Sequence, residues 1–257
     1  MIGAIIGDIV GSRFEFNNHR SKEFELFTSE CSYTDDTICT IAVADAILSN
    51  QSFETSLLHW CQKYPYPTGS YGLRFSQWIN NADRKPYNSF GNGSAMRVSP
   101  CAYIFRKKSL QEVLFQAEQS ALCTHNHPEG IRGARNVAEL IWYALNGLNL
   151  HEIKKAALNM YSNIRSMTLS SLVVSNIFDE TCQVTVPQAI LCVLESTSFE
   201  DAIRNAVSIG GDTDTIACIA GGMAEALWGI PQQIKAQAMS YLPNEMIRVL
   251  EAEYAEA

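Results

Sequence analysis

The 257-residue chain has no Cys-x-x-Cys pair, no block of like charges dividing it, and no bilayer-length apolar run. Its eight cysteines (31, 39, 61, 101, 123, 182, 192 and 218) lie far apart among small or apolar residues. That pattern excludes a disulfide framework and predicts small buried hydrophobes in a reducing compartment. The first eleven residues are apolar, but Asp8 interrupts them and no Lys or Arg precedes them, so a signal peptide is not expected. The stretch Ile216 to Ile230 contains Glu225 and is too short to cross a membrane. A cytoplasmic location with no membrane partner is therefore expected. Basic residues are also scarce: 19 Lys and Arg face 27 Asp and Glu, a formal charge of −8. A nucleic-acid grip needs clustered cations to displace counterions, so a nucleic-acid partner is not expected.

Glycine (15) and proline (8) are few, and periodic apolar runs of helical length dominate. A chain of this size buries roughly 73% of its unfolded surface and needs no staple. With 47% hydrophobic residues it is expected to fold as one all-α domain spanning 1–257. The periodicity predicts helices near 34–49, 52–62, 94–106, 109–121, 129–146, 150–160, 167–178, 187–196, 199–208, 214–228, 231–240 and 243–256. Ser109 with Glu112, Ser198 with Asp201, and Ser32 with Asp35 have capping-box spacing. Pro187 suits a first helical turn, and Gly147 and Gly229 suit helix stops. Segments 12–33 and 63–93 carry aromatics, polar residues and the breakers Pro65, Pro67, Gly69, Gly72, Pro86 and Gly91. They read as ordered loops, and loops this long are usually functional.

Two acidic turns stand out, Thr34-Asp35-Asp36-Thr37 and Asp212-Thr213-Asp214-Thr215. One acid per helix start is explained by capping and the helix dipole. Paired acids repel, and hard Asp and Thr oxygens suit Mg²⁺ or Mn²⁺ better than zinc. If the two turns met, with Glu15 beside them, five carboxylates would be balanced by two divalent ions. Asn88 to Arg97, with Gly91-Asn92-Gly93 inside it, resembles an anion-binding turn opening a helix. Thr68-Gly69-Ser70-Tyr71-Gly72 is a second such loop, and Tyr71 or Phe90 could stack on a base. His125 and His127 lack a third ligand at zinc spacing, so hydrogen bonding suits His125 better than metal binding.

These motifs together resemble the ADP-ribosylglycohydrolase family, the group that includes the dinitrogen-reductase-reactivating glycohydrolase and ADP-ribosyl-acceptor hydrolases. The resemblance rests on Gly7-Asp8-x-x-Gly11-x-x-x-Glu15, Thr34 to Thr37, Gly91 to Arg97, Thr124-His125 and Gly210 to Thr215, in that order, across residues 2–231. It implies an orthogonal all-α bundle with two Mg²⁺ (or Mn²⁺) ions held by Thr34, Asp35, Asp36, Asp212, Asp214 and Thr215. It places Glu15, Asp35, Asp36 and Asp214 at the scissile bond. Ser89, Phe90, Gly91, Asn92, Gly93 and His125 would hold the substrate, with Gly69, Tyr71 and Gly72 as the opposite wall. The implied reaction is hydrolysis of the bond between ADP-ribose and an acceptor, an ADP-ribosylated arginine on a protein first of all. Two alternatives remain open at this point. One is another ADP-ribose linkage, such as an ADP-ribose-containing small molecule (O-acetyl-ADP-ribose), a serine-linked or a nucleic-acid-linked form. The other is a non-enzymatic, crystallin-like ADP-ribose binder.

Overall fold

A computed structural model describes residues 1–255. Among them the architecture is an all-α multi-helix bundle, with only two isolated β-bridges, Thr34 to Thr68 and Gly91 to Thr181. The helices are α1 (Ile2–Gly11), α2 (Asp35–Leu48), α3 (Phe53–Lys63), α4 (Leu73–Asn80), α5 (Gly93–Met96), α6 (Ser99–Ile104), α7 (Leu110–Leu122) and α8 (Pro128–Leu145). They continue as α9 (Leu150–Met160), α10 (Leu169–Ser175), α11 (Cys182–Leu194), α12 (Phe199–Ser208), α13 (Thr213–Trp228), α14 (Gln232–Met239) and α15 (Asn244–Ala255). Buried apolar side chains form one continuous core. All eight cysteines are free, and seven are buried. No helix among the described residues is long and apolar enough to cross a membrane.

The centre of the bundle is α13, enclosed by α1, α12, α11 and α8. Its partner α1 is a helix that periodicity does not announce, because all ten of its residues are buried and it has no polar face. Gly3, Gly7 and Gly11 fall four apart on one side of α1 and let two backbones touch. A methyl group at Gly7 would lie 1.9 Å from the Ala217 carbonyl oxygen, and one at Gly11 would lie 2.6 Å from the Asp214 Cα. On another face of α1, the buried Asp8 carboxylate reaches α2. It accepts from the Thr34 and Thr37 backbone N–H groups, each at 3.0 Å, and from both hydroxyls, at 2.7 and 2.5 Å. A single helix thus clamps the start of α2 and the start of α13 together.

Several expected boundaries shift for identifiable reasons. The span 94–106 is two short helices, α5 and α6, with Pro100 in the first turn of the second. Segment 63–93 contains α4, whose apolar side buries Phe75, Trp78 and Ile79. The helix expected at 187–196 begins at Cys182, so Pro187 sits inside it rather than in its first turn. The span 167–178 shortens to α10, after a 3₁₀ turn at Ser162–Ser166. Within 12–33, Ser12–Phe14 is also a 3₁₀ turn. Ser109 and Glu112 form the expected capping box. Ser198 caps α12, but the Asp201 carboxylate turns to the Thr197 N–H instead of completing a box. At α2 the cap is Thr34, whose hydroxyl accepts from the Asp36 N–H, not Ser32 paired with Asp35. Asn146 and Gly147 end α8, and Gly229 ends α13. The helix expected to end at residue 256 is described to Ala255; residue 256 lies outside the described residues.

Candidate active site

Because α1 holds α2 and α13 start to start, the two acidic turns converge. Gly210 and Gly211, both with positive φ, turn the chain into α13. Asn18 fastens that turn to the end of α1, accepting from the Gly211 N–H and donating to the Gly211 and Phe14 carbonyls. Glu15, Asp212 and Asp214 then offer carboxylate oxygens that all lie within 4.8 Å of one another. Thr215 Oγ1 donates to Asp36 Oδ1 at 3.3 Å, joining the second turn to the first. Asn92 Nδ2 donates to Asp212 Oδ2 at 2.6 Å.

Burial dominates the electrostatics of this cluster. It pushes Asp8 and Asp212 up to about 6, against the hydrogen bonds each accepts. Glu15 rises to about 7, through burial and then the charges of Asp212 and Asp8. Asp35, Asp36 and Asp214 are pushed well above the usual carboxylate range by burial and by their acidic neighbours. None of the six forms an ion pair with a Lys or Arg among the described residues. Asp36 Oδ2 is buried with no hydrogen-bond partner, an expensive state for a carboxylate oxygen. Hard oxygen donors, uncompensated charge and an orphaned carboxylate oxygen fit a divalent cation. The donor set accommodates the Mg²⁺ or Mn²⁺ that the sequence implies.

The raised carboxylates set a pH dependence of stability. Their folded values lie above the unfolded ones, near 4, so the folded state holds extra protons between about pH 4 and pH 7. Stability is then fully present below that window and is lost as pH rises through it. In excess chelator, the melting temperature measured by calorimetry falls between about pH 5 and pH 8, and Mg²⁺ restores it at the higher pH. A melting temperature that climbs over that range in chelator contradicts this account.

The cluster floors a cleft of about 520 Å³. Of the residues singled out by sequence, the cleft is lined by Glu15, Asp35, Asp36, Gly69, Tyr71, Gly72, Ser89, Gly91, Asn92, Gly93, His125, Asp212, Asp214 and Thr215. Two others lie elsewhere. Thr34 is wholly buried behind the floor, its hydroxyl donating to Asp8. Phe90 faces a shallower groove alongside, edge-on to His127. Gly69, at φ +80°, brings the loop wall against the floor, where a Cβ would sit 2.7 Å from Glu15 Oε2. His127 caps α8 through Nδ1, so the two histidines do not form a ligand pair.

Sequence reading passed over several lining residues: Phe16, Arg74, Tyr87, Phe178 and Glu180. Phe16 and Phe178 are exposed and stack at the cleft rim, with ring centroids 6.3 Å apart. Only the position of Phe16, next to Glu15, offered a sequence signal. The guanidinium groups of Arg97 and Arg74 are close enough to His125 to lower its pKa, after burial. The cleft lining thus includes guanidinium groups as well as carboxylates.

A family model described as ADP-ribosylglycohydrolase matches residues 1–256. The ADP-ribosylarginine hydrolase Tri1 of Pseudomonas putida (strain GB-1) is 28% identical over 272 residues, covering 90% of this chain and 70% of the relative. The ADP-ribosylhydrolase ARH3 of Danio rerio is 25% identical, covering 90% of this chain and 82% of the relative. The ARH3 of Homo sapiens is 26% identical, covering 90% and 85%. A solved structure of an ADP-ribosylglycohydrolase-related protein complex superposes with a TM-score of 0.71 at 20% identity, over 99% of this chain and 96% of that one. That last likeness bears on the fold alone.

Proposed function

This chain belongs to the ADP-ribosylglycohydrolase family, and on that footing we propose that it hydrolyses, as a single-domain cytoplasmic enzyme, the N-glycosidic bond joining ADP-ribose to an arginine side chain. The observation that carries the reading is the convergence of Glu15, Asp212 and Asp214 with Asp35 and Asp36 on the floor of a cleft. The arginine acceptor draws on the Tri1 relative, whose name specifies ADP-ribosylarginine. The ARH3 relatives carry a name that specifies no acceptor, so another ADP-ribose linkage is the second reading.

Breaking the bond develops oxocarbenium character at the ribose carbon, and the carboxylates of the floor stabilise that positive charge. Glu15, on the floor beside Asp212 and Asp214, would take a proton from an attacking water or return one to the leaving group. The Gly91–Gly93 turn and the Gly69–Gly72 loop wall the nucleotide portion and limit water around the reacting carbon. Two Mg²⁺ ions (or Mn²⁺), held by Asp35, Asp36, Asp212, Asp214 and Thr215, would supply Lewis acidity and offset the floor's charge, while Thr34, its hydroxyl given to Asp8, would support Asp36 from behind.

The test compares release of ADP-ribose from arginine-linked and serine-linked peptides, with Mg²⁺ and with excess chelator. Release from the arginine-linked peptide, abolished by chelator and restored by Mg²⁺, is expected. Faster release from the serine-linked peptide moves the acceptor to the second reading. Release that persists unchanged in chelator removes the metal from the proposal.

A further inference from the structure

Arg97 is a buried cation with no carboxylate partner among the described residues. It is 1% exposed, and its Nε finds no hydrogen bond. Its Nη2 donates to the Ser120 carbonyl at 2.9 Å and to Thr124 Oγ1 at 2.8 Å. Thr124 Oγ1 in turn lies 2.7 Å from His125 Nδ1. A guanidinium only donates, so the threonine oxygen must accept from it. The hydroxyl hydrogen then has two destinations within reach, the Cys123 sulfur and the lone pair on Nδ1, and the imidazole nitrogen is much the stronger acceptor. The reverse arrangement, with Nδ1–H donating to Oγ1, leaves the hydroxyl hydrogen of a wholly buried threonine only the weak sulfur acceptor of Cys123.

Nδ1 is therefore the acceptor, and the ring's proton sits on Nε2. That nitrogen has no protein partner among the described residues and faces the turn of the cleft. A Cβ built on Gly93 would lie 3.1 Å from it, and one on Gly91 3.6 Å. The groups around the ring are Arg97, Arg74 on α4, and Tyr87, whose ring centroid is 6.1 Å away. Burial and the two guanidinium charges hold His125 well below the usual histidine range, so the ring stays uncharged.

We propose that Arg97 and Thr124 are positioning residues that lock His125 as an uncharged Nε2–H donor, aimed at an acceptor oxygen of the ligand in the cleft. The identity of that ligand as an ADP-ribose compound rests on the function proposed above; the locked tautomer does not. The arrangement gives a use to a buried arginine that no carboxylate neutralises. Its charge is spent on orienting a hydroxyl, and its field keeps the imidazole neutral beside an anion-bearing substrate.

Nitrogen-15 NMR of the full chain, without ligand, reads the tautomer directly. Expected is a His125 ring protonated at Nε2 alone and uncharged from about pH 5.5 to pH 8. A proton on Nδ1, or ordinary titration in that range, overturns the proposal. Calorimetric binding of ADP-ribose supplies the second readout. Thr124→Val weakens it about tenfold, the loss of one directed hydrogen bond, and Thr124→Ser restores it. Wild-type affinity in a folded valine variant overturns the positioning role. Should wild-type protein bind no ADP-ribose at all, the proposed function fails, and the tautomer measurement still decides the lock.

Discussion

Asp214→Asn removes hydrolytic activity by roughly 1,000-fold and leaves the helical fold in place. The carboxylate stands at the start of the central helix α13, beside Asp212 and Glu15, where burial and nearby acids already resist its ionisation. Asparagine keeps the shape and still accepts the 3.0 Å hydrogen bond from the Thr215 N–H, so the backbone turn survives. What disappears is one unit of charge where positive charge must be held. Two effects of opposite sign follow. Turnover, measured on arginine-linked ADP-ribose, collapses. The melting temperature of the chelated protein at about pH 8 rises, because one repelling carboxylate has gone. The stabilisation by Mg²⁺ shrinks at the same time. A variant that keeps a tenth of wild-type activity would place the chemistry elsewhere. Asp35→Asn, on the facing helix start, is expected to lose activity in the same way.

The second large effect is one of packing rather than charge. Gly7→Ala destabilises the protein by about 3 kcal/mol, the upper part of the usual range for overpacking, and lowers the melting temperature by roughly 6–12 °C. The added methyl would meet the Ala217 carbonyl oxygen at 1.9 Å, its carbon at 2.3 Å and the Cys218 nitrogen at 2.7 Å. All three are backbone atoms of a central helix, so no side chain can rotate away and the two helices must part. Gly72→Ala is the control, since nothing lies within 4 Å of the added carbon there. Surface changes of that kind stay within about 0.5 kcal/mol. An unchanged melting temperature in Gly7→Ala would mean that α1 and α13 are not in contact as described. Activity is expected to fall along with stability, because the same displacement separates Asp8 and Glu15 from the start of α13.

The acidic turns were legible because paired acids at a helix start exceed what capping requires. The helices following them were legible through their long apolar runs. Asp8 was quoted in a motif yet not assigned a role, since one acid in an apolar run looks like an interruption. Its function depends on two threonines 26 and 29 residues away. The helix around it was invisible to periodicity, because a helix buried on every side has no polar stripe to count. α4 was hidden between breakers, eight residues long and flanked by Gly72 and Asn81. The rim pair Phe16 and Phe178 could not be foreseen, since 162 positions separate two residues that only the completed fold stacks. Arg97 lay inside a quoted motif, but nothing local indicates that its charge is buried without a carboxylate. Local chemistry was readable, whereas long-range partnership was not.

The partnership between α1 and α13 also carries a cost in time. As the protein emerges from the ribosome, the apolar helix Ile2–Gly11 lacks its principal mate until residues Thr213–Trp228 have been translated. At the usual pace of translation that wait is roughly 10–40 s. Throughout it, the nascent chain presents a greasy, glycine-notched segment to solvent and lacks Asp212 and Asp214 of its acidic floor. Chaperones that hold exposed apolar segments therefore have a long opportunity at this helix. Catalytic competence arrives late and all at once, when the thirteenth helix closes on the first.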